Sequence, residues 1–575
     1  YDTVTFQYHP GTYYPIGNYS NILLSQQHTS KIIIEGTTNS DTIIDLQKRK
    51  SCFIIIDGIQ NIILRNLHIK NGAGIDSSTH PIISQKFNSK GGSLILIGGT
   101  TAILENMIFT NSTLSGFGFG IQGGVFYIEN SSPTFNKCQF IGARAGQGGT
   151  GWIQGGSPIF NDCLFDNSET NSKNQLGGGY GGFGGAVVPE SDSTSQFHRC
   201  IFNKCKGPYG GAIDDGSNAK TKYVDCVFKN NIANYGGAYY GFSKTITQFY
   251  NCHFINNTAR SSGGAVFHSS STNGTYANCL FENGNAVNGG AIDARANSFV
   301  QIIDSTLQNN IAMGGMVQLG DSSTGTVINS KFINNYAKSD SGAIGISSKT
   351  VTFFMSDSLL QGNVAKRKGG AITMRETLKS IKIINTKFIG NIATYYGGAI
   401  YYANGFKTET EVMAALEIVS CEFTNNEAKI EGGAIYNSPK LGIFDPPKYI
   451  IKGNSTFIGN KALKNGGAIR TSGLGSIIYM ENVVFQGNTA TNGNGGAIYF
   501  HIADGDCGLF SNKMVNQSTI LKNNVIFYDN VAKYAGGAIF AEWCNIPNVG
   551  IVLPYRFEQD DNNNNNFDIA VKPIF

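Results

Sequence analysis

Apolar and polar residues alternate in short bursts along this chain, and the bursts end in asparagine. In residues 223–231, Tyr-Val-Asp-Cys-Val-Phe-Lys-Asn-Asn, the alternating positions Val224, Cys226 and Phe228 fall on one face, the two-residue period of a half-buried strand. Asn230 and Asn231 follow as a turn, because asparagine tolerates left-handed backbone and hydrogen-bonds its own main chain. Gly236 and Gly237 supply a second corner, where absent side chains permit positive φ or a close approach between segments, and Ala238, Tyr239 and Tyr240 open another short strand. Strand, asparagine corner, glycine corner, strand predicts one coil of a β-solenoid.

The same grammar returns about every 26 to 35 residues. Clear glycine pairs of a Gly-Gly-Ala-Ile type begin at Gly184, Gly210, Gly236, Gly263, Gly289, Gly314, Gly369, Gly397, Gly432, Gly466, Gly495 and Gly536, with Ser341-Gly342-Ala343-Ile344 as a variant. Shortly before most of them stands Phe-x-x-Asn, as at Phe254 with Asn257, Phe332 with Asn335, Phe388 with Asn391 and Phe457 with Asn460. A helical solenoid of similar period needs helix-length segments with apolar residues three and four apart, which glycine and β-branched residues at these positions oppose. The expectation is therefore an all-β chain of about 20 stacked coils rising roughly 4.8 Å each. Residues 1–110 keep the strand grammar without the tetrapeptide and read as opening coils; 111–545 form the repeat region, continuous with them; 546–575 read as a last coil or tail.

Composition narrows the function. Charged residues make up only 14% and glycine contributes 73 of 575 residues, which favours turns and tight stacking. The net charge is +4 and the basic residues do not cluster, so no nucleic-acid groove is expected. No apolar run approaches the roughly 18 to 20 residues that a membrane-spanning helix requires.

The paired tetrapeptides resemble the repeats of the polymorphic outer membrane protein family, chlamydial adhesins built on a pectin-lyase-like, single-stranded right-handed parallel β-helix. The resemblance covers about residues 105–540. Similar repeats also occur in large surface proteins of protists, whose composition this Asn-, Lys- and Ile-rich chain matches better. The resemblance implies surface attachment in place of catalysis, and no cofactor.

Cys138, Cys163, Cys200, Cys226, Cys252 and Cys279 each stand two residues before a repeat phenylalanine or its equivalent, so they are expected to stack as an interior ladder. Later coils carry Ser305, Ser330, Ser358, Thr386, Ser455, Val483 and Val525 there, which points to a demand for small side chains. Adjacent coils also bring Cα atoms within disulfide range, leaving Cys226 with Cys252 open as a bridge. No repeated Cys-x-x-Cys or His-x-x-x-His suggests a metal site.

If the isoleucine of the tetrapeptide points inward, the following residue points outward. That parity creates a column of Asp214, Tyr240, Phe267, Asp293, Tyr401, Tyr436, Arg470 and Tyr499, expected to be an exposed binding strip; the opposite parity packs it into the core. Pectin-lyase-like enzymes cluster acidic residues on one outer face. Here Asp214 lies three coils from Asp293, and Arg295 three from Arg375, too far apart for two carboxylates to flank one glycosidic bond. Sequons at Asn18, Asn111, Asn130, Asn256, Asn273, Asn454 and Asn516 would suit N-glycosylation of a secreted chain. The leading expectation is a non-enzymatic extracellular or cell-surface rod for attachment or assembly as filament or multimer, partnered by other protein chains, copies of itself or surface glycans. A polysaccharide lyase or glycoside hydrolase is the alternative.

Overall fold

The computed structural model describes residues 3–14, 22–24, 31–48, 53–74, 89–116, 120–170, 182–347, 351–375, 380–403, 416–438, 448–472, 477–501, 518–522, 524–546, 550–552, 556–559 and 569–574. The chain divides into two compact units, Tyr1–Val287 and Asn288–Phe575. Both are parallel β-solenoids without helices among the described residues; no helix there is long and apolar enough to cross a membrane.

One turn of the first unit shows the plan. Strand Lys220–Val224 bends at Asp225, which takes a φ of 55°, into strand Val227–Lys229. Asn230, at φ 57°, turns the chain into the short strand Ile232–Tyr235, and the pair Gly236-Gly237 turns it again into Tyr239–Phe242. The bend at Asp225 was not expected. It interrupts the alternation, so Tyr223, Cys226 and Phe228 point inward while Val224 is only half-buried. The two asparagines also divide their labour: Asn230 makes the corner and is exposed, whereas Asn231 is fully buried.

Successive turns pair in register. Phe228 is flanked by Phe202 and Phe254, with ring centroids 4.7 and 4.9 Å away and nearly parallel planes. A second column, Phe135, Phe160, Phe197, Tyr223, Phe249 and Tyr276, stacks beside it at 4.6–5.1 Å. In the second unit Phe388, Phe423, Phe457, Phe485 and Phe527 stack at 4.6–4.8 Å. In-register parallel pairing places like side chains over like, which gives each aromatic an offset partner above and below.

At the glycine pair the first residue supplies positive φ, as Gly236 does at 64°. The second sits against the next turn: a Cβ on Gly237 would collide with the carbonyl of Gly264, and one on Gly433 with that of Gly467. In the regular copies glycine thus serves twice, for two different reasons. The solenoid makes about 15 turns, short of the 20 expected from the sequence. Among the described residues the bridges of the short third side run from Thr113 to Val531.

Candidate binding cleft

The side chains that follow the tetrapeptide isoleucine do form columns. In the second unit Asp293, Gln318, Gly345, Thr373, Tyr401, Tyr436, Arg470 and Tyr499 are register partners in succession; in the first, Asp214 pairs with Tyr240 and Tyr240 with Phe267. They are covered, not an open strip: Tyr240 is 8% exposed, Tyr401 6%, Tyr436 8%, Arg470 6% and Tyr499 4%, while Asp214 and Asp293 are at 2% and 0%. The cover comes from residues just before the glycine pair. Tyr209 and Tyr235 lie over Tyr240 and Phe267 with centroids 5.3 and 5.5 Å away, and Tyr396 lies 4.5 Å from Tyr436. Lys368 donates to the Tyr401 hydroxyl at 3.0 Å and stands 4.4 Å above its ring, and the Arg470 guanidinium stacks 4.5 Å from Tyr436 while pairing with Glu431. Burial raises the Tyr436 phenol to about 12. Alternation predicts the facing of a side chain but not what folds over it.

The cover fails at one place in the second unit. Gly345 stands in the column between Gln318 and Thr373, and a cleft of about 340 Å³ opens there. It coincides with the two irregular copies of the tetrapeptide, Gly314-Gly315-Met316-Val317 and Ser341-Gly342-Ala343-Ile344. Gly314 lacks the positive φ that Gly289 and Gly369 hold at 58° and 63°, and Ser341 holds 69° in place of a glycine. A repeat that breaks its own rule locally marks a candidate site.

Arg295 and Arg375 both line this cleft. Three coils separate them, roughly 14 Å of rise, and both face the same cleft. Each is held by a carboxylate. Arg295 donates through Nε and Nη2 to Asp293 at 3.1 and 3.0 Å, and Arg375 pairs with Asp340. Asp340 is 9% exposed, and its Oδ1 accepts no hydrogen bond. Gln318 donates to Ser347 at 2.8 Å, and Asp321, Ser339, Ser341 and Thr373 complete the polar wall. The spacing argument kept the two arginines apart. The sequence signal that could have joined them is Gly345 at a position where neighbouring coils carry large or polar side chains.

In the first unit Asp214 is surrounded by burial and by the charges of Asp215 and Glu190, which together hold its carboxyl far above the usual range. Glu190 is raised by burial as well; sequence reasoning missed it because it lies two positions beyond the column. Asp215 points the other way, into the core, where Tyr239 donates to it at 2.8 Å and Thr247 at 3.1 Å, with Thr221 bonded as well. Burial raises it to about 7. Nearby His268 shares a 2.6 Å hydrogen bond with Tyr276 and is lowered to about 3.

All six ladder cysteines are buried with free thiols. Each Sγ lies 3.3–3.6 Å from the carbonyl two residues earlier and from one on the preceding turn, as Cys226 does to Val224 and Phe197. Ser330 and Ser358 do the same with Oγ, at 2.8 and 2.7 Å from the carbonyls of Ile328 and Ser356. Small size is what the position requires; cysteine and serine add a donor for the bend, which Val483 and Val525 lack. Cys205 and Cys421 are buried too, which pushes their thiols up to about 12 and about 11. Asn111, Asn130, Asn256, Asn273 and Asn454 are exposed, while Asn18 and Asn516 lie outside the described residues. Among the described residues no three His, Cys, Asp or Glu side chains are grouped to hold a metal ion.

The Chlamydia polymorphic membrane protein repeat matches residues 385–403, 420–438, 454–472, 482–501 and 524–542. These five segments are similar to that repeat. Each matched segment runs from the bend before Phe-x-x-Asn to the strand after the glycine pair, so the polymorphic membrane protein repeat corresponds to the part of a turn that carries the buried asparagine and both glycines. No curated protein matches the chain. Among solved structures it is similar to the PL6 family alginate lyase AlyGC, at 9% identity and TM-score 0.33 over 99% of this chain and 97% of that one. A point mutant of the same lyase aligns at 8% identity and TM-score 0.29 over 93% and 97%.

Proposed function

We propose that this polymorphic-membrane-protein-type β-helix is a non-enzymatic cell-surface protein that serves attachment or assembly. The observation that carries the reading is the repeat match itself, five copies of a unit named for membrane proteins. Exposed sequons at Asn111, Asn130, Asn256, Asn273 and Asn454 are consistent with a glycosylated, externally presented chain. Its partners would be other protein chains, copies of itself or surface glycans. The test is protease shaving of intact source cells followed by immunoblotting. Loss of the protein from intact cells supports the reading, and protection until the cells are lysed overturns it.

A second reading, polysaccharide cleavage, is favoured by the cleft that gathers Arg295, Arg375, Asp321 and Asp340. Guanidinium and carboxylate groups on one outer face are the components from which a lyase or hydrolase site is assembled. Incubation with acidic and neutral polysaccharides, read as new reducing ends or unsaturated products, decides it; no product from any substrate removes this reading.

A further inference from the structure

We propose that the cleft between Arg295 and Arg375 is a binding site for a neutral hexose unit of a glycan. The inference deepens the attachment reading by naming the ligand, and it can fail without that reading failing.

The charge balance sets the ligand class. Arg295 and Arg375 are offset by Asp321 and Asp340 on the wall and by Asp293 behind it, so among the described residues the site offers no surplus positive charge to a carboxylate or sulfate. What it presents is fixed donors beside fixed acceptors. Each guanidinium is anchored by an aspartate and is over one-third exposed, and Arg375, bound through Nη2 to Asp340, presents further N–H donors to the cleft. Asp340 Oδ1, nine-tenths buried and without a partner, faces the opposite need: a ligand O–H or N–H to accept from. A sugar hydroxyl donates and accepts at once, and adjacent hydroxyls on one ring match adjacent donor and acceptor side chains. Gln318 and the wall serines extend the same chemistry, and the exposed Met313 offers apolar contact for ring C–H groups. Among the described residues no aromatic side chain lines the cleft to stack a nucleobase. About 340 Å³ suits one or two hexose rings.

The vacancy is built into the backbone. A Cβ on Gly345 would collide with Gln318 Oε1, so no larger residue fits there without moving the glutamine. Gly320 differs: its φ is ordinary, and an added Cβ would meet only Ser347 Oγ and Arg295 Cγ at 3.8 and 3.9 Å. Gly320→Leu therefore fills the cleft without straining the turn.

The experiment uses the full chain with D-glucose, D-galactose, N-acetyl-D-glucosamine and D-glucuronate as separate probes, followed by saturation-transfer NMR and calorimetric titration. At least one neutral sugar is expected to bind, with glucuronate weaker by about tenfold or more. Asp340→Asn should weaken the neutral sugar about tenfold, the scale of one lost hydrogen bond to a charged group. Gly320→Leu should abolish binding with the unfolding midpoint unchanged. The proposal is overturned if no neutral sugar binds, if glucuronate binds as well or better, or if Gly320→Leu binds like the parent protein.

Discussion

Asn335 donates both its backbone N–H, at 3.2 Å, and its side-chain Nδ2, at 2.9 Å, to the Oδ1 of Asn363 one turn on. The same Nδ2 also donates to the carbonyl of Leu307 at 2.9 Å. Asn363 repeats the pattern toward Asn391, then Asn391 toward Asn426, Asn460 and Asn488, every one of them fully buried. This is what the last residue of Phe-x-x-Asn is for: an amide with one double acceptor and two donors, all satisfied in the core. Asn363→Ala leaves the backbone N–H and the Nδ2 of Asn335 without their shared acceptor and the Phe332 carbonyl, one turn back, without its donor, and should cost about 3 kcal/mol. Urea unfolding of the variant against the parent measures it, and a cost below about 1 kcal/mol would remove the ladder from the account of stability.

The glycine pair gives a contrast of two substitutions. Gly433→Ala forces a methyl into the carbonyl of Gly467 and should leave the chain insoluble or sharply destabilised. Gly487→Asn places a residue that tolerates left-handed backbone at φ 60°, with nothing within 4 Å of its Cβ, and should change stability by less than about 1 kcal/mol. Soluble yield and thermal midpoints of the two variants check the pair together.

The thiol column should be silent to reagents. Burial holds the thiols of Cys163, Cys200 and Cys252 well above their usual range; Cys226 is held well below its own, against the effect of burial, by hydrogen bonds with Cys200 and Cys252, so the protection of the column rests on inaccessibility. Ellman's reagent at neutral pH is expected to modify none of the eight described cysteines in the native protein and all of them in guanidinium. Rapid native labelling at the ladder would contradict the packing.

Asp215 and His268 act on stability in opposite directions. Asp215 is raised from 3.8 to about 7 by burial, so its contribution is fully present below pH 3.8 and is lost as the pH rises through about 7. His268 is lowered from 6.5 to about 3, so its contribution is present above pH 6.5 and is lost as the pH falls toward 3. Asp215→Asn should remove the loss between pH 4 and 7 and leave the acid-side loss in place; His268→Gln should do the reverse. Unfolding midpoints across that range test the signs, and parallel profiles for the two variants would refute them.

The solenoid was legible because its signals are local and repeated: a strand period, a glycine pair, an asparagine at fixed offset. The bend at Asp225 was not, since one residue at positive φ leaves no mark beyond an aspartate in a polar position. The same limit explains the outer column. Alternation named Asp293, Tyr401, Tyr436, Arg470 and Tyr499 but not Gln318, Gly345 or Thr373 between them, and the burial of the column depends on Tyr396, Lys368 and Glu431 from the preceding corner folding across it. The cleft escaped for the converse reason, as it is defined by side chains that are missing, at Gly345 above all.

The asparagine column has a direction. Asn460 hands both its donors forward to Asn488, and Asn488 forward to Asn530, so each turn holds out N–H groups that only the following turn can accept. A ribosome delivers turns in that same order. Every newly completed turn is thus a template with open valences on the side where the next one arrives, and winding can proceed like the growth of a crystal face, one lattice row at a time, without waiting for distant parts of the chain.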